Sequence, residues 1–453
     1  MNEALLQFIW QYSLYNATGL KTAEGEAITI IQPGQKNTHA GPDFQDARIK
    51  IGDTILAGHV ELHVSSSDWL KHGHQHDDAY KNLVLHVVYN NDVEAFNNIP
   101  VLELKQHIPS HIKVNYAGLV HTSKPIPCSG LLDSVKDITK ESWLSRLLAE
   151  RWEQKLNEWQ VLQKKNVDDW RNLLYWSMAA NFGFKVNAAP FLMLAQSLDM
   201  NILAKHRENL LQIEALIFGQ AGMLDQDFED PYPNKLKEEY AYLRKKYKLR
   251  PILTHLWKFL RMRPANFPTV RLAQFASLIH KSLHLFSQII EVYTVKEISP
   301  LIDVIASEYW DTHFRFDEPS PYAPKHMGQS SVHNIIINTI APIQFLFAQR
   351  HRSESQQEKA LQLLEAIPAE KNRIMDEWQR CGWQAINAAQ SQSLIQLHNN
   401  YCAKKNCLNC AVGLSLIRSG PEDDIVFLMS GCRLCITGQL IAACSSICFS
   451  LSV

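Results

Sequence analysis

Asp43, Glu61 and His63 are the residue types that metal-assisted hydrolysis uses, at a spacing that a β-sheet can exploit. Asp43 follows a Gly-Pro turn in "GPDF", at the mouth of an alternating stretch; Glu61 and His63 lie in "GHVELH". On a strand, residues i and i+2 share a face. Glu61 and His63, with His59, therefore point one way, and Val60, Leu62 and Val64 point the other, into a core. Neighbouring strands lie about 4.8 Å apart. If these two are neighbours, both carboxylates reach one divalent cation. Two carboxylates with open positions suit Mg²⁺ or Mn²⁺. Such an ion polarises a phosphoryl oxygen and activates a water. His63, placed among carboxylates, is expected to have a raised pKa and to stay cationic near neutral pH. As a ligand it would instead favour Mn²⁺ or Zn²⁺.

Histidines crowd this region: ten of the nineteen fall between residues 39 and 121, too many for an even spread. His59, Lys71, His72, Asp77 and Tyr80 are candidate cleft residues, and Lys71 or His72 could add the positive charge. The rest of "HGHQHDD" is read as a solvated helix face, and His86, in mid-strand, as a core histidine. Glu103 and Lys105 in "LELK" form a rival pair, one helix and one strand too late.

A second constellation is Cys402-x4-Cys407-x2-Cys410. Compact thiolate spacing of this kind suits Zn²⁺ or an iron–sulfur cluster. Lys404 and Lys405 are expected to lower the thiol pKa values. The fourth ligand is not evident; Cys381, His398, Cys432 and Cys435 are candidates. The spacing is similar to the cysteine loop that ends some base-excision DNA glycosylases, without their full pattern, so their function is not carried over.

Residues 235–271 hold eleven Lys/Arg and two acids, in a chain whose net charge is −1. Bulk charge therefore attracts no nucleic acid, but this stretch could. Lys245, Lys246, Lys248, Arg261, Arg263 and Arg271 are candidate contacts to DNA or RNA. The interleaved Tyr240, Tyr242, Tyr247, Trp257 and Phe267 are candidates for stacking on bases or for the core.

The elements that must position these groups alternate at first: a helix at "NEALLQFIWQYSLY", strands at "AITIIQ", "DFQDARIKIGD" and "TILAGHVELHV", then a helix, or a loop and a helix, at "SSSDWLKHGHQHDDAY". Strands at "NLVLHVVYN" and "PVLELKQ" follow. From about residue 135 the apolar pattern turns helical, as at Leu144, Leu148, Trp152, Leu156 and Trp159. The expected organisation is an α/β domain over 1–125, an all-α domain over 126–400, a cysteine segment over 401–418 and an apolar tail over 419–453. The tail is a poor membrane span, and a membrane is not an expected partner. An amphipathic N-terminus without a signal-peptide pattern, and cysteines clustered near the end, point to the cytoplasm.

An αβββαβ order, with Asp at the second strand and Glu-x-Lys on the third, resembles the PD-(D/E)XK restriction-endonuclease-like nucleases over about residues 1–107. Asp43 and Glu61 match the acids; His63 stands in the lysine's place. The resemblance implies a metal-dependent nuclease fold. There the lysine positions the attacking water and offsets developing negative charge. Over the chain to about residue 418, "GPDF", "GHVELH", "FGQAG" and "RMRPANFP" also resemble an uncharacterised family of bacterial proteins of unknown function. The resulting expectation is a metal-dependent nuclease acting on DNA or RNA. The alternatives are an inactive nuclease-like binding module and a His-rich metallohydrolase of a small molecule.

Overall fold

Runs of β-branched residues stopped by Gly and Pro build the first sheet. The computed structural model describes residues 1–93, 99–163, 169–282 and 284–420. Helix α1 (Glu3–Gln11) is capped by Asn2, whose side chain accepts from the Leu5 amide. Six strands follow: β1 (Ile28–Gln32), β2 (Gln35–Lys36), β3 (Phe44–Ile51), β4 (Thr54–Ser65), β5 (Leu83–Asn90) and β6 (Val101–Glu103). Their order is β1-β3-β4-β5-β6, with two-residue β2 paired to β3. The first three strands of that order run antiparallel; β4, β5 and β6 run parallel.

Between β4 and β5 the chain makes helix α2 (Asp68–His72) and two short 3₁₀ turns. Helix α3 (Ser110–Val120) comes after β6. The "SSSDWLKHGHQHDDAY" stretch is thus a five-residue helix followed by turns. Gly73, at φ 74°, ends α2 in the left-handed region, where glycine is at home.

The chain divides into two compact units. One holds Met1–Trp143, Arg380–Trp383 and the described part of Leu397–Val453; the other holds Leu144–Gln379 and Gln384–Gln396. The first is the mixed sheet with its helices. The second is helical, with Phe182, Phe191, Phe218, Phe275 and Trp310 fully buried in its core. Its segment Gln329–Arg350 is long and apolar enough to cross a membrane, but 72% of its apolar window is buried inside the structure. The apolar tail, and with it Cys432 and Cys435, lies outside the described residues.

Candidate metal centre

The start of β3 is bent toward β4 by a bulge. Phe44 pairs with Val60 and Ala47 with Gly58, so one extra residue is inserted, and Asp46 takes φ 56°. Bulges of this kind re-aim side chains. Here the Asp43 amide donates to Glu61 Oε2 at 2.9 Å, and the Leu62 amide donates to Asp43 Oδ2 at 3.1 Å. From α1, Gln7 Nε2 donates to Asp43 Oδ1 at 2.8 Å. The two carboxylates share one site. Burial raises Glu61 to about 8, with the Asp43 charge adding to the effect. Burial also raises Asp43 to about 6, against the stabilising Leu62 amide. A nearby cation would reverse both shifts.

Four imidazoles crowd the same face. Glu61 pairs with His86 across the parallel strands, so their side chains emerge side by side. His63 Nδ1 lies 2.9 Å from His86 Nε2, and His63 Nε2 lies 3.1 Å from His72 Nδ1. The left-handed Gly73 turns the chain back after α2, and His74 Nε2 comes within 3.3 Å of Glu61 Oε1. That approach lacks hydrogen-bond geometry, and His74 Nε2 is a buried nitrogen with no hydrogen-bond partner. His63, His72 and His74 each offer a ligand atom within 4.8 Å of the others.

His63 is not cationic, contrary to the expectation from its sequence position. Burial lowers it to about 3, and His86, His72 and His74 push the same way. His86 is lowered to about 4, again chiefly by burial. With Glu61 protonated near neutral pH, the carboxylate that was to hold the proton on His63 is itself uncharged. A neutral imidazole has a lone pair to give. In the tautomer where His63 Nδ1 donates to His86 Nε2, His63 Nε2 faces His72 and Glu61, the arrangement that orients metal-ligating histidines.

These residues fit a divalent metal of the Mn²⁺ or Zn²⁺ kind. An unpartnered buried nitrogen beside two other imidazoles and a carboxylate is a nitrogen-rich donor set, which suits such ions better than Mg²⁺. Tyr80 packs against Trp69 and His74 at the edge of the group. His59 is half-buried, with Nδ1 unpartnered. Lys71 bonds to Asp68 at 2.6 Å at the surface. Asp77 caps the turn after His76 through the Ala79 amide. Of the rival pair, Glu103 is exposed and Lys105 Nζ bonds to Asn90 Oδ1. His74, which the sequence reading left on a solvated face, joins the cluster. Its one sequence signal is the Gly between two histidines.

In the helical unit, Lys245, Lys246, Lys248, Arg261 and Arg263 are exposed. Arg271 is not available to a nucleic acid: it is 5% exposed, and its guanidinium donates to Gln274, Asn266 and Ser331. It sits in the first turn of the helix Pro268–Lys281, on the face turned away from solvent. Tyr240 and Trp257 are core residues bonded to Gln220 and the Ala221 carbonyl; Tyr242 is exposed. The sequence reading also missed a cleft of about 910 Å³ lined by Arg151, Lys155, Asn181, Lys185 and His333. Those residues are scattered along the chain and form no local charge run.

Residues 3–373 match the family described as "Protein of unknown function (DUF2851)". The chain belongs to that family. The match takes in the whole carboxylate–imidazole cluster and Cys128, and ends before Cys402. Neither the curated proteins nor the solved structures contain a match to this chain.

Proposed function

We propose that this protein is a metal-dependent phosphodiesterase of the restriction-endonuclease-like type, acting on DNA or RNA. The observation that carries the reading is the joining of Asp43 and Glu61, from the second and third strands in sheet order, beside three ligand-ready imidazoles. The element order α1, β1, β3, β4, α2, β5 supports it as well. The metal would be Mn²⁺ or Zn²⁺ held by His63, His72, His74 and Glu61, and would supply a polarised phosphoryl oxygen and an acidified water. His86 fixes the His63 ring. The Leu62 amide and Gln7 hold the Asp43 carboxylate in place, so that it can orient or deprotonate an attacking water. The exposed lysines of helix Pro231–Tyr247 supply phosphate contacts.

The convergence of His63, His72 and His74 also favours a second reading, a metallohydrolase of a small molecule. One set of experiments separates the two. Calorimetric titration with Mn²⁺ and Zn²⁺ is run on wild type, Asp43→Ala, Glu61→Ala and His74→Ala. Plasmid, single-stranded DNA, RNA and a small phosphodiester are offered to each. The nuclease reading expects metal affinity to fall at least tenfold in Glu61→Ala and His74→Ala. It also expects polynucleotide cleavage in wild type alone. Cleavage of the small diester only would favour the second reading. Equal metal binding in all four proteins would reject both.

A further inference from the structure

Cys402, Cys407 and Cys410 are buried in the turns ahead of the helix Ala411–Arg418. Burial raises all three thiols, and Lys405 only partly offsets this at Cys402 and Cys407. The acidic thiols expected beside Lys404 and Lys405 are therefore not formed. Burial has a different consequence in the helical unit, at the cleft of about 910 Å³.

One wall of that cleft is a face of the helix Asp137–Gln163. Arg151, Lys155 and Trp159 stand at i, i+4 and i+8, so they stack on one side. Like charges four residues apart repel on a helix, and burial strengthens the repulsion. Neither cation is in an ion pair among the described residues. Arg151 Nε donates to Gln392 Oε1 at 2.5 Å, and its two terminal nitrogens have no hydrogen-bond partner among the described residues. Lys155 Nζ makes one long bond, at 3.4 Å, to Asn338 Oδ1. The carboxylate that lines the cleft, Glu370, is already held: it accepts from Gln392 Nε2 and, at 3.4 Å, from Ser391 Oγ. Burial lowers Lys155 to about 7; Arg151 pushes the same way, and Glu158 and Glu370 only partly offset them. His333, also at the cleft, is lowered by burial.

The rest of the cleft is built from uncommon backbone. Asn338 and Thr339 belong to the π-turn Ile336–Ile340, and Phe184 takes φ 47°. Such turns, and aromatic residues in the left-handed region, are rare and gather at functional sites. The Arg271 guanidinium holds Phe184 in place, 4.5 Å from its ring centroid. Asn181 ties the helix Trp170–Phe182 to the π-turn, donating to Thr339 Oγ1 at 3.0 Å and to the Asn334 carbonyl at 3.2 Å. One turn earlier on that helix, Ser177 also lines the cleft; it is 8% exposed, and its Oγ has no partner. A buried hydroxyl is costly until something bonds to it.

These groups define the chemistry of a ligand. Four Lys/Arg side chains line the cleft (Arg151, Lys155, Lys185 and Lys371) against one carboxylate. The free fork of Arg151 matches two oxygens of one anionic group, and Lys155 adds a point charge beside it. A phosphate monoester carries nearly two negative charges near neutral pH, and so uses this excess better than a carboxylate does. The cleft is also far larger than a phosphate ion: pockets of roughly 300–1,000 Å³ hold whole organic ligands. Phe184 and Ile337 offer the carbon part an apolar surface. A water-filled gap between helices would account for the volume. It would leave the Arg151–Lys155 repulsion and the Ser177 hydroxyl unanswered.

We propose that the cleft of the helical unit binds a small organic phosphate monoester, with Arg151 and Lys155 holding the phosphate. The phosphate's charge relieves their repulsion, and Lys155 takes up a proton as the ester binds. This site does not rest on the metal-dependent hydrolysis proposed for the sheet unit.

Calorimetric titration of the full chain tests it, at about pH 8 with EDTA present, so that no metal at the carboxylate–imidazole cluster takes part. The probes are adenosine monophosphate, ribose phosphate, inorganic phosphate, adenosine and citrate. At least one of the two esters is expected to bind at least tenfold more tightly than the last three probes, and the tighter ester distinguishes a nucleotide from a sugar phosphate. Lys155→Met and Arg151→Gln should each weaken that ester at least tenfold. Because either variant could fail to fold, the unsubstituted protein is also titrated in two buffers of different ionisation enthalpy. Close to one proton should be taken up per ester bound: at about pH 8 Lys155 is mostly neutral beforehand, and the ester is already a dianion. Failure of both esters to bind, equal binding of inorganic phosphate, adenosine or citrate, binding without proton uptake, or undiminished binding in the folded variants would each overturn the assignment.

Discussion

Glu214 and His63, one in each unit, show how burial sets protonation here. His63 is held neutral by burial and by imidazole neighbours. Glu214 is 2% exposed, accepts from Ser307 Oγ at 2.6 Å, and is raised to about 7, chiefly by burial. Its folded pKa lies above the unfolded one, so the stability it contributes is complete below about pH 4.5. That contribution is lost as pH rises toward 7. Glu214→Gln keeps an accepting oxygen and removes the ionisation. Calorimetric unfolding should show the variant gaining on wild type from pH 4.5 to 7, by at most about 3 kcal/mol, with a constant gap above pH 7. A gap independent of pH would mean that Glu214 is ionised in the fold.

At the scale of elements, two departures from regular structure make the candidate centre. The β3 bulge brings Asp43 to Glu61, and the left-handed Gly73 returns the chain so that His74 meets His63 and His72. A side chain at Gly73 would meet no atom within 4 Å, so its penalty is purely conformational. Alanine in the left-handed region costs about 1–2 kcal/mol. Gly73→Ala should therefore weaken Mn²⁺ or Zn²⁺ binding about five- to thirtyfold and leave the sheet intact. Calorimetric affinity together with far-ultraviolet circular dichroism checks this; unchanged affinity would show that His74 reaches the site without the turn.

On the scale of the whole molecule, the near-neutral chain concentrates positive charge on one helical stretch. Lys245, Lys246 and Lys248 are exposed, and Lys246 stands 5.1 Å from the Tyr247 ring centroid. If they contact phosphates, replacing all three with Gln should flatten the slope of log affinity against log salt for single-stranded DNA by about two. Fluorescence anisotropy over a salt series measures that slope. An identical slope would assign these lysines to solvent.

Local pattern was enough for the strands, the helix-rich region and the acidic pair at Asp43 and Glu61. Two-residue alternation and 3.6-residue stripes record which side of each element is buried. Family membership was legible on a different ground, the resemblance carried by short contiguous motifs such as "GHVELH". What pattern could not carry was the meeting of groups distant in the chain. The protonation of His63 depends on His86, from the neighbouring strand, and on burial that no local sequence states. Arg271 looked like part of a basic surface, yet its partners Asn266, Gln274 and Ser331 enclose it. Periodicity fixes a residue's side of its own element; only tertiary packing decides which other elements that side will face.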